Sequence, residues 1–566
     1  MSVELVGSGP AAGAVRAAIE DVDTPVRERD SEDLTDPDLA VVVGQVGDGV
    51  FEQVNEHATA QGTRWLAVEL GGVGGFPVTE ASVAGFGPGS GCYECLSARV
   101  SANLDPEADP AAAPPAQTGR FAGAVAGRDA ARYLSGGEAP FGQVTEIPHA
   151  TREFLPLPGC TCAGDRDGSL DRNHVDRNLD ESLARAERAI DERLGVVAEV
   201  GEAESFPAPY YLARVCDTAG FSDVAASSQA AGVAPGWDEA FMKALGEGFE
   251  RYCAGVYRAE NFEAGRPDDV SGAVPPSAFV CKGDPATGTG RAWVPGEHLA
   301  TGETVHLPAE FVYHPPPSRE CRPPTTTGLG LGNSGTEALL AGLTEVIERD
   351  ATMLSWYSTF EPLGLSVSDP GFETLAARAR SEDLSVTALL VTQDVDVWVV
   401  AAAVHREEWP AFALGSDAAF DPQHAARSAL AEALQNWMEL RGMGKAAAGE
   451  ATGAIGRYAE FPPAAQSYVD PPSVVPAESV GPDEPPTGTD ALERVVDAVD
   501  AAGLDAYGVR TTTRDVADLG FEAVRVLVPE AQPLFFGEAY FGHRAESVPE
   551  SLGFEPALDR DHHPFP

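Results

Sequence analysis

The alternation of apolar and polar positions changes period along this chain, and the most regular stretches carry carboxylates inside apolar helices. Across residues 328–350 a glycine-rich run gives way to Leu339, Leu340, Leu343, Val346 and Ile347 at helical spacing, which predicts a helix with one buried face. Glu345 and Glu348 are three apart on that helix and share a face, with Glu337 two turns earlier. A second such helix, over 241–252, sets Glu247 and Glu250 three apart and follows them with Arg251. A third, over 428–435, has Glu432 and Gln435 at the same offset. Elsewhere short apolar runs predict strands: residues 3–6 leading through a glycine turn into a helix, then 39–43, a helix near 50–61, and a strand at 65–70. Strands are also expected at 210–215, as a pair within 383–404, and at 521–529, with a helix around 491–502. The fold class is therefore α/β and α+β, a Rossmann-like N-terminal domain followed by a large mixed-sheet domain. An amphipathic helix over 183–194 is expected to open the second domain.

Stacked carboxylates repel one another unless a cation sits between them, and Mg²⁺, with its preference for hard oxygen ligands, suits such a set. A single Glu-x-x-Glu-Arg is usually a solvated helix face. Two copies and a Glu-x-x-Gln variant, each in an apolar helix, point instead to a shared metal–nucleotide site. No Gly-x-x-x-x-Gly-Lys-Ser/Thr loop is present to cradle phosphates.

The runs Glu-Gly-Phe-Glu-Arg-Tyr at 247–252 and Gly-Asn-Ser-Gly-Thr-Glu at 332–337, the Glu345–Asp350 segment and the terminal His563-Pro-Phe-Pro566 together resemble the YcaO family. The resemblance covers roughly residues 180–566 and implies that ATP phosphorylates a peptide amide oxygen on the way to an azoline or a thioamide. It implies a nucleotide held by Lys243, Glu247, Glu250, Arg251, Asn333, Ser334, Glu337, Glu345, Glu348, Glu432 and Gln435, with Mg²⁺ on Glu250, Glu345 and Glu348. It also implies catalytic roles for Arg349 and for a proline-rich tail, here Pro564 and Pro566, with His562 where another proline is common. Lys243 stands where the family usually has a small polar residue; it can reach a phosphate or point to solvent. Asn333 and Ser334 can serve the nucleotide or cap the helix. Two other readings stay open: an accessory factor for ribosomal-protein methylthiolation, or adenylation by the N-terminal domain.

Cys92-x-x-Cys95 and Cys160-x-Cys162 lie in glycine- and proline-rich turns and make a four-thiolate set suited to structural Zn²⁺, with a redox dithiol as the alternative. Gly7, Gly9 and Gly13 form a strand-to-helix turn one residue longer than the dinucleotide fingerprint. This part resembles the ThiF-type domain found beside YcaO domains, which implies a zinc-bearing scaffold. With the first strand at residue 3, a winged-helix leader binder ahead of it is not expected. The domains are expected at 1–165 and 181–566 with a linker over 166–180, and residues 445–495 read as a surface insertion or substrate-side lid. Cys216, Cys253, Cys281 and Cys321 show no ligand spacing.

Composition adds a setting. The 566 residues carry a net charge of −50, with acids spread throughout and only three lysines, Lys243, Lys282 and Lys445. That is the pattern of a folded protein in a high-salt cytoplasm, where screening tames self-repulsion. It speaks against nucleic acid as partner. No apolar run is long enough to span a membrane. The expected protein is cytoplasmic and homodimeric, acts on a peptide or protein, and works with a sulfur-delivery or leader-binding partner.

Overall fold

In the structure, a computed structural model describing residues 2–35, 37–105, 114–148, 150–162, 168–283, 285, 290–450 and 454–566, two glycines decide how the chain begins. Gly7 has φ of +104°, and a Cβ there would stand 2.2 Å from the carbonyl oxygen of Val43; Gly9 follows at φ +93°. Strand β1 (Val3–Val6) can therefore turn at once into a helix (Pro10–Glu20) whose Pro10 needs no N–H partner in the first turn.

The chain divides into two compact units. The first comprises Met1–Asp167, Glu187–Glu199 and Cys216–Ser222. Among the described residues its sheet runs β2-β1-β3-β4-β5-β6-β7, with β2 (Val26–Arg29), β3 (Leu39–Gln45), β4 (Trp65–Leu70), β5 (Ala81–Phe86), β6 (Gln143–Ile147) and β7 (Ala150–Glu153). Pairing is parallel from β2 to β4 and antiparallel from β4 to β7. Both faces of its central strands are buried, one against Val15, Ile19 and Ala126, the other against Phe51, Tyr93 and Leu96, which is why β1, β3 and β4 read as apolar runs.

The second unit comprises Gly168–Ala186, Val200–Val215 and Asp223–Pro566. One sheet runs β10-β9-β8, from β8 (Val197–Glu204, of which residues 200–204 belong to this unit), β9 (Tyr210–Val215) and β10 (Gln229–Val233). A second has the order β11-β12-β20-β21-β14, with β13 also on β12: β11 (Glu263–Gly265), β12 (Arg291–His298), β13 (Thr304–Pro308), β14 (Leu329–Gly332), β20 (Tyr507–Arg510) and β21 (Glu522–Leu527). The third runs β18-β17-β16-β15-β19, from β15 (Leu363–Ser366), β16 (Ser385–Leu390), β17 (Trp398–His405), β18 (Phe412–Ala419) and β19 (Val474–Pro476).

Each sheet contributes one strand followed directly by a glutamate-bearing helix: β10 by Trp237–Gly255, β14 by Gly335–Trp356, β18 by Pro422–Met443. Each of these strands carries a glycine on which its helix backbone rests. A Cβ on Gly232 would meet the carbonyl oxygen of Ala240 at 2.2 Å, one on Gly330 that of Ala338 at 2.2 Å, and one on Gly415 that of Ala429 at 2.4 Å. The same strand–helix unit is thus built three times.

Two expectations are corrected, and a third gains detail. The helix expected over 183–194 is Leu179–Ala186, and Glu187–Glu199 belongs to the first unit. The expected linker begins at residues outside the description, 163–167, but from Gly168 onward the chain is bonded into the second unit: the carbonyl of Arg172 accepts from Thr336 Oγ1 at 2.6 Å, and Arg177 donates to the carbonyl oxygens of Asn333 and Gly520. Its acidic composition read as solvated because these bonds run through backbone oxygens and a few arginines. The expected insertion over 445–495, of which 451–453 lie outside the description, supplies β19, parallel to β15, and buries Tyr458, Tyr468 and Ala477.

Candidate functional site

The glutamates hold the three strand–helix units together in one way. Glu247 Oε2 accepts the Ala231 backbone N–H of β10 at 2.5 Å, and Glu345 Oε2 that of Gly328, just before β14, at 2.9 Å. Glu432 Oε2 accepts that of Ser416 in β18 at 2.6 Å. One oxygen of each carboxylate is thereby fixed, while the other is turned to an arginine. Glu247 Oε1 takes Arg251 at 2.5 Å; Glu345 Oε1 lies 3.8 Å and Glu432 Oε1 3.7 Å from Arg349.

The residue after each second position breaks the symmetry. Arg251 donates to the Gln229 carbonyl at 2.5 Å and Asn436 to the Leu414 carbonyl at 2.8 Å, both back onto their own strand. Arg349 does not: it stands between Glu345, Glu348 and Glu432 and donates to the oxygen of Pro566 at 3.3 Å. The carboxylates around it hold its guanidinium firmly charged, against the cost of burial. Glu348 Oε1 accepts from Ser416 Oγ at 2.6 Å.

A cavity of about 670 Å³ opens beside this cluster, lined by Lys243, Glu247, Glu250, Asn333 and Glu337 together with apolar Leu179, Met242 and Phe521. Glu250 faces it with burial and then the charges of Glu345 and Glu247 pushing its carboxyl up to about 8. Burial and Glu348 push Glu345 and Glu432 up to about 7, in spite of Arg349. Glu247 is raised too, by burial and by Glu439. This is negative charge without enough local compensation.

Several side chains named from the sequence also make structural hydrogen bonds. Ser334 caps the helix, its Oγ accepting from Glu337 N. Asn333 Nδ2 donates to Glu337 at 3.2 Å and its Oδ1 accepts from Ser182 at 2.8 Å. Gln435 Nε2 donates to Glu439 at 3.0 Å. Sequence reading missed Glu439, four residues on and on the same helix face, which also accepts from Tyr210 at 2.9 Å. It missed Asp417, on β18 with no periodic signal, whose carboxyl is raised well above its ordinary value by burial and Glu348. It also missed Arg525, buried on β21 and facing Glu345 and Glu250, its pKa lowered to about 10 by burial and Arg322.

The tail reaches the cluster. His563 and Phe565 are fully buried. His563 N donates to Tyr357 Oη at 3.2 Å, its Nε2 meets the Phe535 carbonyl at 2.7 Å, and Trp356 Nε1 donates to the Asp561 carbonyl at 2.7 Å. Pro564 is buried beside them.

In the first unit, the ligand atoms of Cys92, Cys95, Cys160 and Cys162 all lie within 4.8 Å of one another. Sγ distances are 3.8 Å for Cys92–Cys95, and 3.6 Å for both Cys92–Cys160 and Cys95–Cys162. Four thiolates 2.3 Å from one zinc would stand about 3.8 Å apart. Cys95 Sγ also accepts the Leu157 N–H at 3.2 Å, as a thiolate ligand does.

A family model described as YcaO cyclodehydratase, ATP- and Mg²⁺-binding, matches residues 231–532. Among solved structures, a heterocyclase in complex with substrate and cofactor aligns at TM-score 0.75 and 19% identity, over 98% of this chain and 83% of that one. The heterocyclase TruD aligns at TM-score 0.67 and 18% identity, over 98% and 82%. At these identities the likeness is one of fold. An uncharacterized protein of Methanothermobacter thermautotrophicus is 30% identical over 210 residues, 35% of this chain and 54% of that one. The chain thus spans about half the length of this curated relative. Among the described residues no helix is long and apolar enough to cross a membrane.

Proposed function

The chain belongs to the YcaO family, and from that premise we propose that it uses ATP to activate a peptide backbone amide by phosphorylating its oxygen. The observation that carries this reading is the convergence of three separately built glutamate helices on one cleft, with their carboxylates short of positive charge. The donors are hard oxygens on fixed backbones, which fits Mg²⁺, and Glu250, Glu345 and Glu348 would hold it. Bound there, Mg²⁺ would neutralise the phosphates and orient the γ-phosphoryl group. Glu247, Glu337 and Asn333 shape the phosphate side of the cavity, and Arg349 braces the cluster while holding the tail. Pro564 and Pro566 would set the tail's course where the peptide amide has to lie, since phosphoryl transfer depends chiefly on positioning. A cysteine, serine or threonine of the substrate would then close an azoline; external sulfide from a delivery partner would give a thioamide.

The test is product analysis with ATP and a cysteine- or serine-containing peptide. ADP and phosphate are expected to form in step with loss of water from the peptide. AMP and pyrophosphate would assign the chemistry to the N-terminal unit instead, and nucleotide binding without turnover would make the chain an accessory factor.

The carboxyl values give a pH dependence. With Glu250 near 8 and Glu345 and Glu432 near 7, the cluster is partly protonated at neutral pH. A cation must displace those protons, so Mg²⁺ affinity is expected to rise with pH from about 6 to about 8.5 and then level off. These are raised carboxyls, so ionising them above their ordinary range costs stability, and Mg²⁺ should return it. Thermal unfolding at a series of pH values, with and without Mg²⁺, reads both effects. An Mg²⁺ shift that shrinks as pH rises would contradict the assignment.

The four cysteines fit a closed, structural Zn²⁺ on a ThiF-like scaffold. Metal analysis is expected to return one zinc per chain. Cys95→Ser should lose it and lower the unfolding temperature of the first unit, while nucleotide binding in the second persists.

A further inference from the structure

The three lysines are not alike. Lys282 pairs with Glu538 at 2.7 Å and Lys445 with Glu460 at 2.8 Å. Lys243, one helical turn before Glu247, makes no hydrogen bond or ion pair among the described residues and stands solvent-accessible in the wall of the 670 Å³ cavity. Desolvation by the cavity wall lowers its pKa, and charges act on it from each element around it: Asp417 on β18, Glu239 on its own helix and Glu432 on the third glutamate helix favour the ammonium, while Arg427 opposes it.

The other cations are committed. Arg251 is held by Glu247 and the Gln229 carbonyl. Arg427 is held by Asp369 at 3.0 Å and His424 Nδ1 at 2.8 Å. Arg525 donates to the carbonyls of Thr326 and Thr325, and Arg349 is enclosed by three glutamates. A polyphosphate entering this cavity would meet a wall of carboxylates and one unengaged ammonium.

We propose that Lys243 acts as a tethered monovalent cation, placed between the Asp417 and Glu432 carboxylates and the phosphates of the nucleotide, and thereby sets how much free Mg²⁺ the site requires. This rests on the nucleotide reading of the cavity. An ammonium suits the place because it is compact and offers three rotatable donors, so it can serve oxygens on opposite sides. A guanidinium is planar, and its donors point in a fixed fork. The chain, whose other basic residues are almost all arginine, has a lysine here.

The test is binding of a non-hydrolysable ATP analogue, titrated across Mg²⁺ concentrations, with the intact chain, Lys243→Gln and Lys243→Arg. The glutamine variant should need about tenfold more Mg²⁺ for half-saturation, as loss of a charged hydrogen bond implies, and should lose Mg²⁺-free binding. High Mg²⁺ should restore its affinity, and arginine should recover only part of the effect. An unchanged Mg²⁺ dependence in Lys243→Gln would overturn the lysine's role while leaving the site intact. Failure of the intact chain to bind the analogue at any Mg²⁺ concentration would sink the nucleotide reading and this inference with it.

Discussion

Glu345→Gln and Glu348→Gln are each expected to weaken Mg²⁺-nucleotide binding by roughly a hundredfold while leaving the fold in place. Glutamine keeps an acceptor oxygen, so Gly328 N–H can still be satisfied at position 345 and Ser416 Oγ at position 348. What disappears is a carboxylate, and with it an oxygen able to take a metal. Arg349, now facing one carboxylate fewer, would turn from a brace into a cation competing for the same space. Calorimetric titration in molar KCl, with circular dichroism as the control for folding, decides the matter. Should both variants bind as the parent does, the acid cluster is a structural clamp and the proposed activity has no site.

The second large effect concerns the tail. Phe565 is fully buried against Tyr468 and His563, so Phe565→Ala should cost about 3–5 kcal/mol of stability and release the tail, abolishing turnover. Removing Pro566 alone separates packing from chemistry. Its side chain is only half-buried, and its oxygen is the group Arg349 engages. That deletion should spare the urea midpoint and nucleotide binding yet stop turnover. A Pro566 deletion that turns over normally would show that the tail merely plugs the core.

The mixed α/β class and the glutamate helices could be read directly because amphipathic period and carboxylate spacing are local properties. Glu247, Glu345 and Glu432 were legible for that reason. Asp417 and Arg525 were not: each sits on a strand and becomes part of the site only through sheet packing, which leaves no trace in local spacing. The cap bond of Ser334 and the helix-face bond of Gln435 are not legible as such, because capping and helix-face bonding use the same residue types as nucleotide binding. The anchors of the 168–180 segment and of the 445–495 region are not legible, because polar, proline-rich composition signals exposure, whereas Tyr458, Tyr468 and the Arg177 bonds show how few anchors fasten such chain to a core.

The tether between each first glutamate and its strand also has a thermodynamic reading. A long carboxylate side chain gives up about 1.5–2 kcal/mol of rotamer entropy when it is immobilised. Glu247, Glu345 and Glu432 have each surrendered that freedom to a backbone N–H before any ligand arrives. The loss is charged to folding, so of the glutamates proposed to hold Mg²⁺, Glu345 no longer has to be brought to rest.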